Sequence, residues 1–173
     1  MNIFSTQDFS QFAHITQYWK TIKNEYDAVK HHAEKWPPRA FLKTPVDKPG
    51  GVKNNNGYWD FLPLYVNDKW LVDKDFCTVT YNLTKNIQGL WLAGFSILRA
   101  GCKIYPHRGP TSPEVFKYHL GLEVPEGTWI DIGGYRYFWK EGHDMIFDDA
   151  VEHFAENPTD RDRVILMIDV IKK

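Results

Sequence analysis

The sequence predicts a mainly β protein: a double-sheet β-sandwich or jelly roll with one helix packed outside. Three observations carry this. An early stretch has helical apolar spacing, a Pro/Gly/Asn-rich loop follows it, and many short β-type runs broken by turn residues fill the rest. Phe9, Phe12, Ile15, Trp19, Ile22, Tyr26 and Val29 recur every three or four residues, which puts them on one face of a helix over about residues 7–34. Thr6 or Ser5 is placed to cap its start. Trp36-Pro37-Pro38 ends it, because proline disfavours helix at the residue before it.

Residues 43–57 (KTPVDKPGGVKNNNG) read as a loop, long enough to serve as a small lid. From Tyr58 the texture is β-type. WDFLPLYV and KWLV flank Asn67-Asp68 as a hairpin, and CTVTYNL, LWLAGFSIL, CKIYPH, VFKYHLGLEV, TWIDI, YRYFW, HDMIF and VILMIDV follow as strand candidates. The expected organisation is a single domain over 1–173, with 1–57 as N-terminal helix and loop and 58–173 as the β core.

With 173 residues, 43% of them hydrophobic and 16% aromatic, the chain can bury one sizeable core without staples. The formal charge of −1 gives no basic surface, which argues against nucleic acid as a partner. Cys77 and Cys102, the two cysteines, fit a reducing compartment better than a disulfide scaffold. The first residues show no basic stretch leading into an apolar one, and no apolar run approaches the roughly 20 residues of a membrane span. The expectation is a soluble, cytoplasmic protein without a membrane partner.

His107, His153 and Arg163 are far apart in the chain but could meet on neighbouring strands at the mouth of a jelly roll. Two imidazoles suit a first-row metal such as Fe(II), and arginine offers a planar two-donor fork for a carboxylate. Spacing alone is a weak signal among seven histidines. Strand alternation adds to it: Lys117, His119 and Gly121 share one face, and Tyr118, Leu120 and Leu122 the other. The apolar set would pack between the sheets or under the helix, and the polar set would line a pocket.

PHRGPTSPEVFKYHLGLEVPEG, then WKEGHDMIFDDAVEHFAENPTDRDRVILMIDV, resembles the aspartyl/asparaginyl β-hydroxylase family closely, and WDFLPLY and FSILRAG are similar to it as well. The resemblance covers roughly residues 58–170. It implies a double-stranded β-helix (jelly-roll, cupin-like) fold and an enzyme using Fe(II), 2-oxoglutarate and O2. The implied reaction hydroxylates an unactivated carbon and converts 2-oxoglutarate to succinate and CO2. His107, in Pro-His-Arg-Gly-Pro, and His153, in Phe-Asp-Asp-x-x-x-His, stand where the family has its iron ligands. Arg163 stands where it binds the distal carboxylate of 2-oxoglutarate, with Ser96 as hydroxyl partner. His119 and Lys117 stand near the cosubstrate's other end.

Gly109 occupies the position where most two-histidine oxygenases carry a metal-binding carboxylate. The family lacks that carboxylate too. Some iron halogenases lose it to admit chloride, so Gly109 alone does not separate hydroxylation from halogenation. The resemblance also implies basic residues at positions 115 and 117. Val115 replaces one of them, and Arg108 points away from the iron face by alternation, so the expected substrate is smaller or less acidic than an aspartyl residue in a folded domain.

Each residue has a plainer reading. His107 and His153 could be hydrogen-bonded sheet histidines, and His119 a buried one orienting its neighbours. Ser96 could satisfy a backbone group. Arg163 could be a surface residue, with Arg161 taking its place. Asp148 and Asp149 read best as turn-capping residues. His14, His31, His32 and His143 read as solvent or turn residues, and Trp59, Trp91, Trp129 and Trp139 as core or rim aromatics. The leading function is hydroxylation of an aspartyl, asparaginyl or related amino-acid substrate, presented as a small molecule or peptide. The rivals are the same cofactors acting on another small metabolite, by hydroxylation or halogenation, and a non-catalytic ligand-binding jelly roll.

Overall fold

The computed structural model describes residues 3–4, 6–30, 52–53, 59–109 and 112–172. Three short 3-10 turns (Thr6–Asp8, Ser10–Phe12, Thr16–Tyr18) lead into helix α1 (Trp19–Lys30). The predicted helix over 7–34 is therefore shorter than its apolar spacing suggested. The spacing survives because a 3-10 turn also returns a side chain to one face every third residue: Phe12, Ile15, Ile22, Tyr26 and Val29 are all buried. The Trp36-Pro37-Pro38 stop and most of the 43–57 loop lie outside the described residues.

Two antiparallel sheets form the body. The larger one runs β1 (Ile3–Phe4), β10 (Asp144–Asp148), β7 (Val115–Glu123), β12 (Arg163–Ile171), β5 (Leu90–Leu98), β3 (Trp59–Val66) and β4 (Lys69–Trp70). The smaller runs β2 (Val52–Lys53), β6 (Lys103–His107), β11 (His153–Glu156), β8 (Trp129–Ile132) and β9 (Tyr135–Phe138). This is the expected mainly β jelly roll with a flanking helix. Asn67 and Asp68 turn the β3–β4 hairpin at φ 44° and 65°, the left-handed values a tight two-residue turn requires. Residues 1–57 supply an edge strand to each sheet, β1 and β2.

CTVTYNL, predicted as a strand, is instead helix α2 (Thr78–Thr84). Its β-branched residues favour a strand locally, but the Glu25 carboxylate of α1 accepts from the backbone N–H of Val79 (2.6 Å) and Thr80 (3.0 Å) and from the Thr80 hydroxyl (2.6 Å). Those are donors left over at a helix start, so a contact distant in sequence overrides propensity.

Period-two alternation on the larger sheet divides the interior into two cores. Val164, Leu166, Ile168 and Val170 of β12, with Tyr118, Leu120 and Leu122 of β7, pack under α1. Ile165, Phe147, Ile104, Ile130, Ile132 and Trp139 pack between the sheets. The helix seals the outer face of the larger sheet. Its inner face, bearing Arg163, Met167, His119 and Lys117, is left to line a cavity. No helix among the described residues is long and apolar enough to cross a membrane.

Candidate active site

The cavity between the sheets has a volume of about 290 Å³. It brings together all six residues singled out from the sequence: Ser96, His107, Lys117, His119, His153 and Arg163.

His107 and His153 are directly paired across β6 and β11, with ring centroids 4.2 Å apart. The Nδ1 of His107 lies 2.8 Å from the carbonyl oxygen of Tyr105, and that of His153 lies 2.8 Å from the carbonyl of Val151. A carbonyl only accepts, so each Nδ1 carries the proton and each Nε2 keeps its lone pair, the tautomer a metal ligand needs. Burial, then the neighbouring His107 imidazole, pushes His153 down to about 4, which keeps it neutral and able to coordinate.

Among the described residues no set of three or more His, Cys, Asp or Glu side chains has metal-holding geometry. His107 and His153 are the side chains whose free Nε2 atoms would hold a resident metal. A divalent first-row ion such as Fe(II) fits that donor set, because the remaining positions stay open for a chelating cosubstrate.

Gly109 explains part of the space beside the pair. A Cβ at this position would land on the Asp149 carboxylate. Asp149 is buried, and its Oδ1 lies 3.4 Å from His153 Nε2 without a hydrogen-bond partner. The turn-capping role expected for both aspartates holds only for Asp148, which accepts from the N–H of Ala150 at 2.9 Å. Asp149 faces the cavity and puts negative charge where a divalent cation would sit.

The far end of the cavity is rich in donors. Arg163 is 1% exposed, and its guanidinium carbon stands 4.6 Å from the Trp139 ring centre. Trp59 Nε1 donates to the Ser96 hydroxyl oxygen at 2.8 Å, and an Arg163 N–H approaches the same oxygen at 3.4 Å. These contacts use the acceptor side of the Ser96 hydroxyl and leave its proton available to a ligand. Arg163 Nε and Trp139 Nε1 have no acceptor among the described residues. Burial drives the Arg163 guanidinium down to about 9, so it remains a cation at neutral pH. Unpaired donors around a buried positive charge call for an acceptor-only anion, a carboxylate. Arg161 is exposed and does not compete for this role.

His119 lies between the two ends, and neither ring nitrogen has a hydrogen-bond partner among the described residues. Burial, then the charges of Arg163 and Lys117, holds it well below the ordinary histidine range. Lys117 is not a free cation. It donates to Asp169 Oδ1 at 2.8 Å and Oδ2 at 2.9 Å, and its Nζ is 3.6 Å from Asp149 Oδ1. Burial works against the Lys117 ammonium, but the two carboxylates outweigh it and raise its pKa.

Val115 is buried, and His14 and His143 are exposed. His31 and His32 lie outside the described residues. Trp59, Trp139, Asp149 and Asp169 were not read as site residues from the sequence. A lone acid in the apolar run VILMIDV was the one available signal for Asp169.

Comparison with known proteins gives this architecture its relatives. The aspartyl/asparaginyl beta-hydroxylase family profile matches residues 16–173. The chain belongs to the aspartyl/asparaginyl β-hydroxylase family. An ornithine lipid ester-linked acyl 2-hydroxylase of Rhizobium tropici is 32% identical over 98% of this chain and 60% of its own length. An aspartate beta-hydroxylase domain-containing protein 2 of Xenopus tropicalis is 31% identical over 90% of this chain and 43% of its own. The chain thus spans less than two thirds of either relative. A 2OG-Fe(II) oxygenase-family oxidoreductase of Burkholderia pseudomallei shares the fold, with a TM-score of 0.56 over 72% of each chain at 10% identity. These relationships support a hydroxylase.

Proposed function

We propose that this member of the β-hydroxylase family is an Fe(II)- and 2-oxoglutarate-dependent dioxygenase that hydroxylates a carbon beside a carbonyl group. The observation that carries the reading is the pair of imidazoles facing, in one cavity, a buried arginine whose Nε and neighbouring Trp139 Nε1 lack acceptors among the described residues. When bound, iron(II) with 2-oxoglutarate and O2 supplies the oxidising power for C–H hydroxylation and releases succinate and CO2.

The protein's own residues do the rest. His107 and His153 hold the metal, each fixed by its Nδ1–H bond to a backbone carbonyl. Arg163, Ser96 and Trp139 anchor the distal carboxylate of the cosubstrate, and neutral His119 stands beside its other end. The apolar walls, including Ile104, Ile130 and Phe147, exclude water.

The substrate class follows from chemistry that the relatives share. The β-carbon of an aspartyl or asparaginyl residue and carbon 2 of an ester-linked acyl chain are both methylenes next to a carbonyl carbon. An amino-acid substrate or an amino-acid-derived acyl compound fits this description. Halogenation loses support, because the space left by Gly109 holds the Asp149 carboxylate, which repels a halide.

The test is anaerobic binding of Mn(II) and 2-oxoglutarate, followed by aerobic succinate release with Fe(II). His107→Ala and His153→Ala are expected to keep the fold, lose metal binding and abolish turnover. Metal affinity like the wild type in both variants would sink the assignment.

A further inference from the structure

The residues that would hold the two ends of the cosubstrate stand on different sheets. His107 and His153 are on β6 and β11 of the smaller sheet, and Ser96 and Arg163 on β5 and β12 of the larger. The span between them therefore depends on how the two sheets are held relative to each other. β5 runs into β6 through residues 99–102, and β11 runs into β12 through residues 157–162. Both connections cross from one sheet to the other. Each joins a strand of the imidazole end to a strand of the arginine end.

The two crossings are tied together at Asn157, which is fully buried. Its Nδ2 donates to the carbonyls of Leu98 (3.0 Å) and Arg99 (3.2 Å) at the first crossing and of Arg161 (2.7 Å) in the second. Its backbone N–H donates to the Cys102 carbonyl at 2.8 Å, and the Gly101 N–H donates to the Thr159 carbonyl at 3.0 Å. Its Oδ1 accepts from the Thr159 hydroxyl at 2.7 Å and the Thr159 N–H at 3.2 Å, which fixes the direction of the amide. Asp162 adds an outer tie, accepting from the Ala100 N–H at 2.9 Å and the Arg99 guanidinium at 2.7 Å. An asparagine suits this place because one short side chain carries two N–H donors and an acceptor oxygen. Leu98, which the amide grips, is paired directly with Arg163 across β5 and β12. Asn157 thus acts where Arg163 leaves the second crossing, although it does not itself line the cavity.

We infer that Asn157 is a positioning residue that sets the span between the imidazole pair and Arg163, and with it the length of keto diacid the cavity accepts. The inference rests on the hydroxylase reading above and extends it to a residue that touches neither metal nor cosubstrate. A residue that only supported the fold would lower stability without changing which diacid is preferred.

The test uses the full chain with Mn(II), and calorimetry reads the affinity for 2-oxoglutarate and for 2-oxoadipate, one methylene longer. The wild type is titrated first; failure to bind 2-oxoglutarate overturns the hydroxylase reading itself, before any variant is made. The wild type is expected to prefer 2-oxoglutarate by roughly tenfold or more, and equal affinities overturn the inference. Asn157→Ala is expected to cut that preference by roughly fivefold, since a shift of about 1 Å between gripping groups misaligns a bound ligand. Thr159→Val removes the hydroxyl that orients the amide and should shift the preference the same way by a smaller factor. Ile22→Val, under α1 and away from both crossings, loosens the core and should leave the preference unchanged. An unchanged preference in folded Asn157→Ala overturns the inference. Where that variant does not fold, an unchanged preference in Thr159→Val does so. A shift in Ile22→Val as large as in the corner variants overturns it too.

Discussion

Arg163 and Lys117 line one cavity, and the protein treats these two buried cations in opposite ways. Lys117 is saturated: a carboxylate grips it with both oxygens, a second stands nearby, and its pKa rises despite burial. Arg163 is 1% exposed, has no carboxylate partner among the described residues, lies against Ser96 and the face of the Trp139 indole, and is pushed down by burial to about 9. A folded protein leaves a charge so poorly compensated at a cost in stability. That cost makes sense if a ligand supplies the missing partner. The saturated cation reads as structure, and the unsaturated one as a binding site.

The sharpest way to break this contrast is to remove each cation in turn. Arg163→Met is expected to weaken 2-oxoglutarate at least tenfold, a loss of roughly 2–5 kcal/mol for a buried charge-assisted contact. It should leave the ligand-free protein no less stable, because an uncompensated charge is gone. Arg161→Ala should do far less. The checks are the KM for 2-oxoglutarate and the thermal midpoint without ligand. A destabilised Arg163→Met protein with normal cosubstrate affinity would make Arg163 a structural residue.

Lys117→Met should do the reverse. It strands Asp169 without its counter-charge inside the protein, and breaking a buried pair in this way costs roughly 3–5 kcal/mol. Lys117→Met/Asp169→Leu removes both charges and should recover most of that loss. Urea unfolding of the three proteins reads the effect. A Lys117→Met variant as stable as the wild type would show that the pair contributes nothing.

How far the sequence announced this arrangement depends on how local each signal is. Alternation along β7 placed Tyr118, Leu120 and Leu122 on one face and Lys117 and His119 on the other, because side-chain direction in a strand is set by its own backbone. His107, His153, Ser96, His119, Lys117 and Arg163 were legible from motif order and do share a cavity. The helical spacing from Phe9 to Val29 identified the buried face but not the break between 3-10 turns and helix. Contacts that close only in three dimensions stayed hidden. Glu25 turns CTVTYNL from strand into helix, Asp149 fills the space beside Gly109, and Asp169 meets Lys117 across a strand pair. Trp59 and Trp139 read as ordinary aromatics because nothing local shows that their N–H groups face a cavity.

A pH experiment separates His119 from the two cations. Burial first, then the Arg163 and Lys117 charges, keeps its imidazole neutral well below the ordinary histidine value of 6.5. In the unfolded chain it would protonate near that value, so between about 6.5 and its depressed folded pKa the unfolded state binds more protons. Stability is therefore full above about 6.5 and falls as the pH drops. The urea midpoint of the metal-free protein should decline from pH 7 to pH 5, and His119→Leu should flatten that slope without abolishing it, since His153 also titrates low in the folded state. An unchanged slope would mean that His119 already carries its proton in the fold.

The smallest effect belongs to Trp59. Its indole N–H reaches the Ser96 hydroxyl oxygen at 2.8 Å, and an Arg163 N–H approaches from another side at 3.4 Å. A hydroxyl has two lone pairs and one proton. Filling both lone pairs leaves the proton no role except donation into the cavity. Trp59→Phe keeps the ring but frees one lone pair, so the hydroxyl can rotate and present an acceptor face to an incoming carboxylate part of the time. One neutral hydrogen bond is worth about 0.5–1.5 kcal/mol net. The expected result is a KM for 2-oxoglutarate raised a few-fold, with kcat at saturating cosubstrate and the thermal midpoint close to the wild type. A matched drop in both Ser96→Ala and the Ser96→Ala/Trp59→Phe double variant would show that the indole acts through the serine. Additive losses would give Trp59 a contact of its own with the cosubstrate.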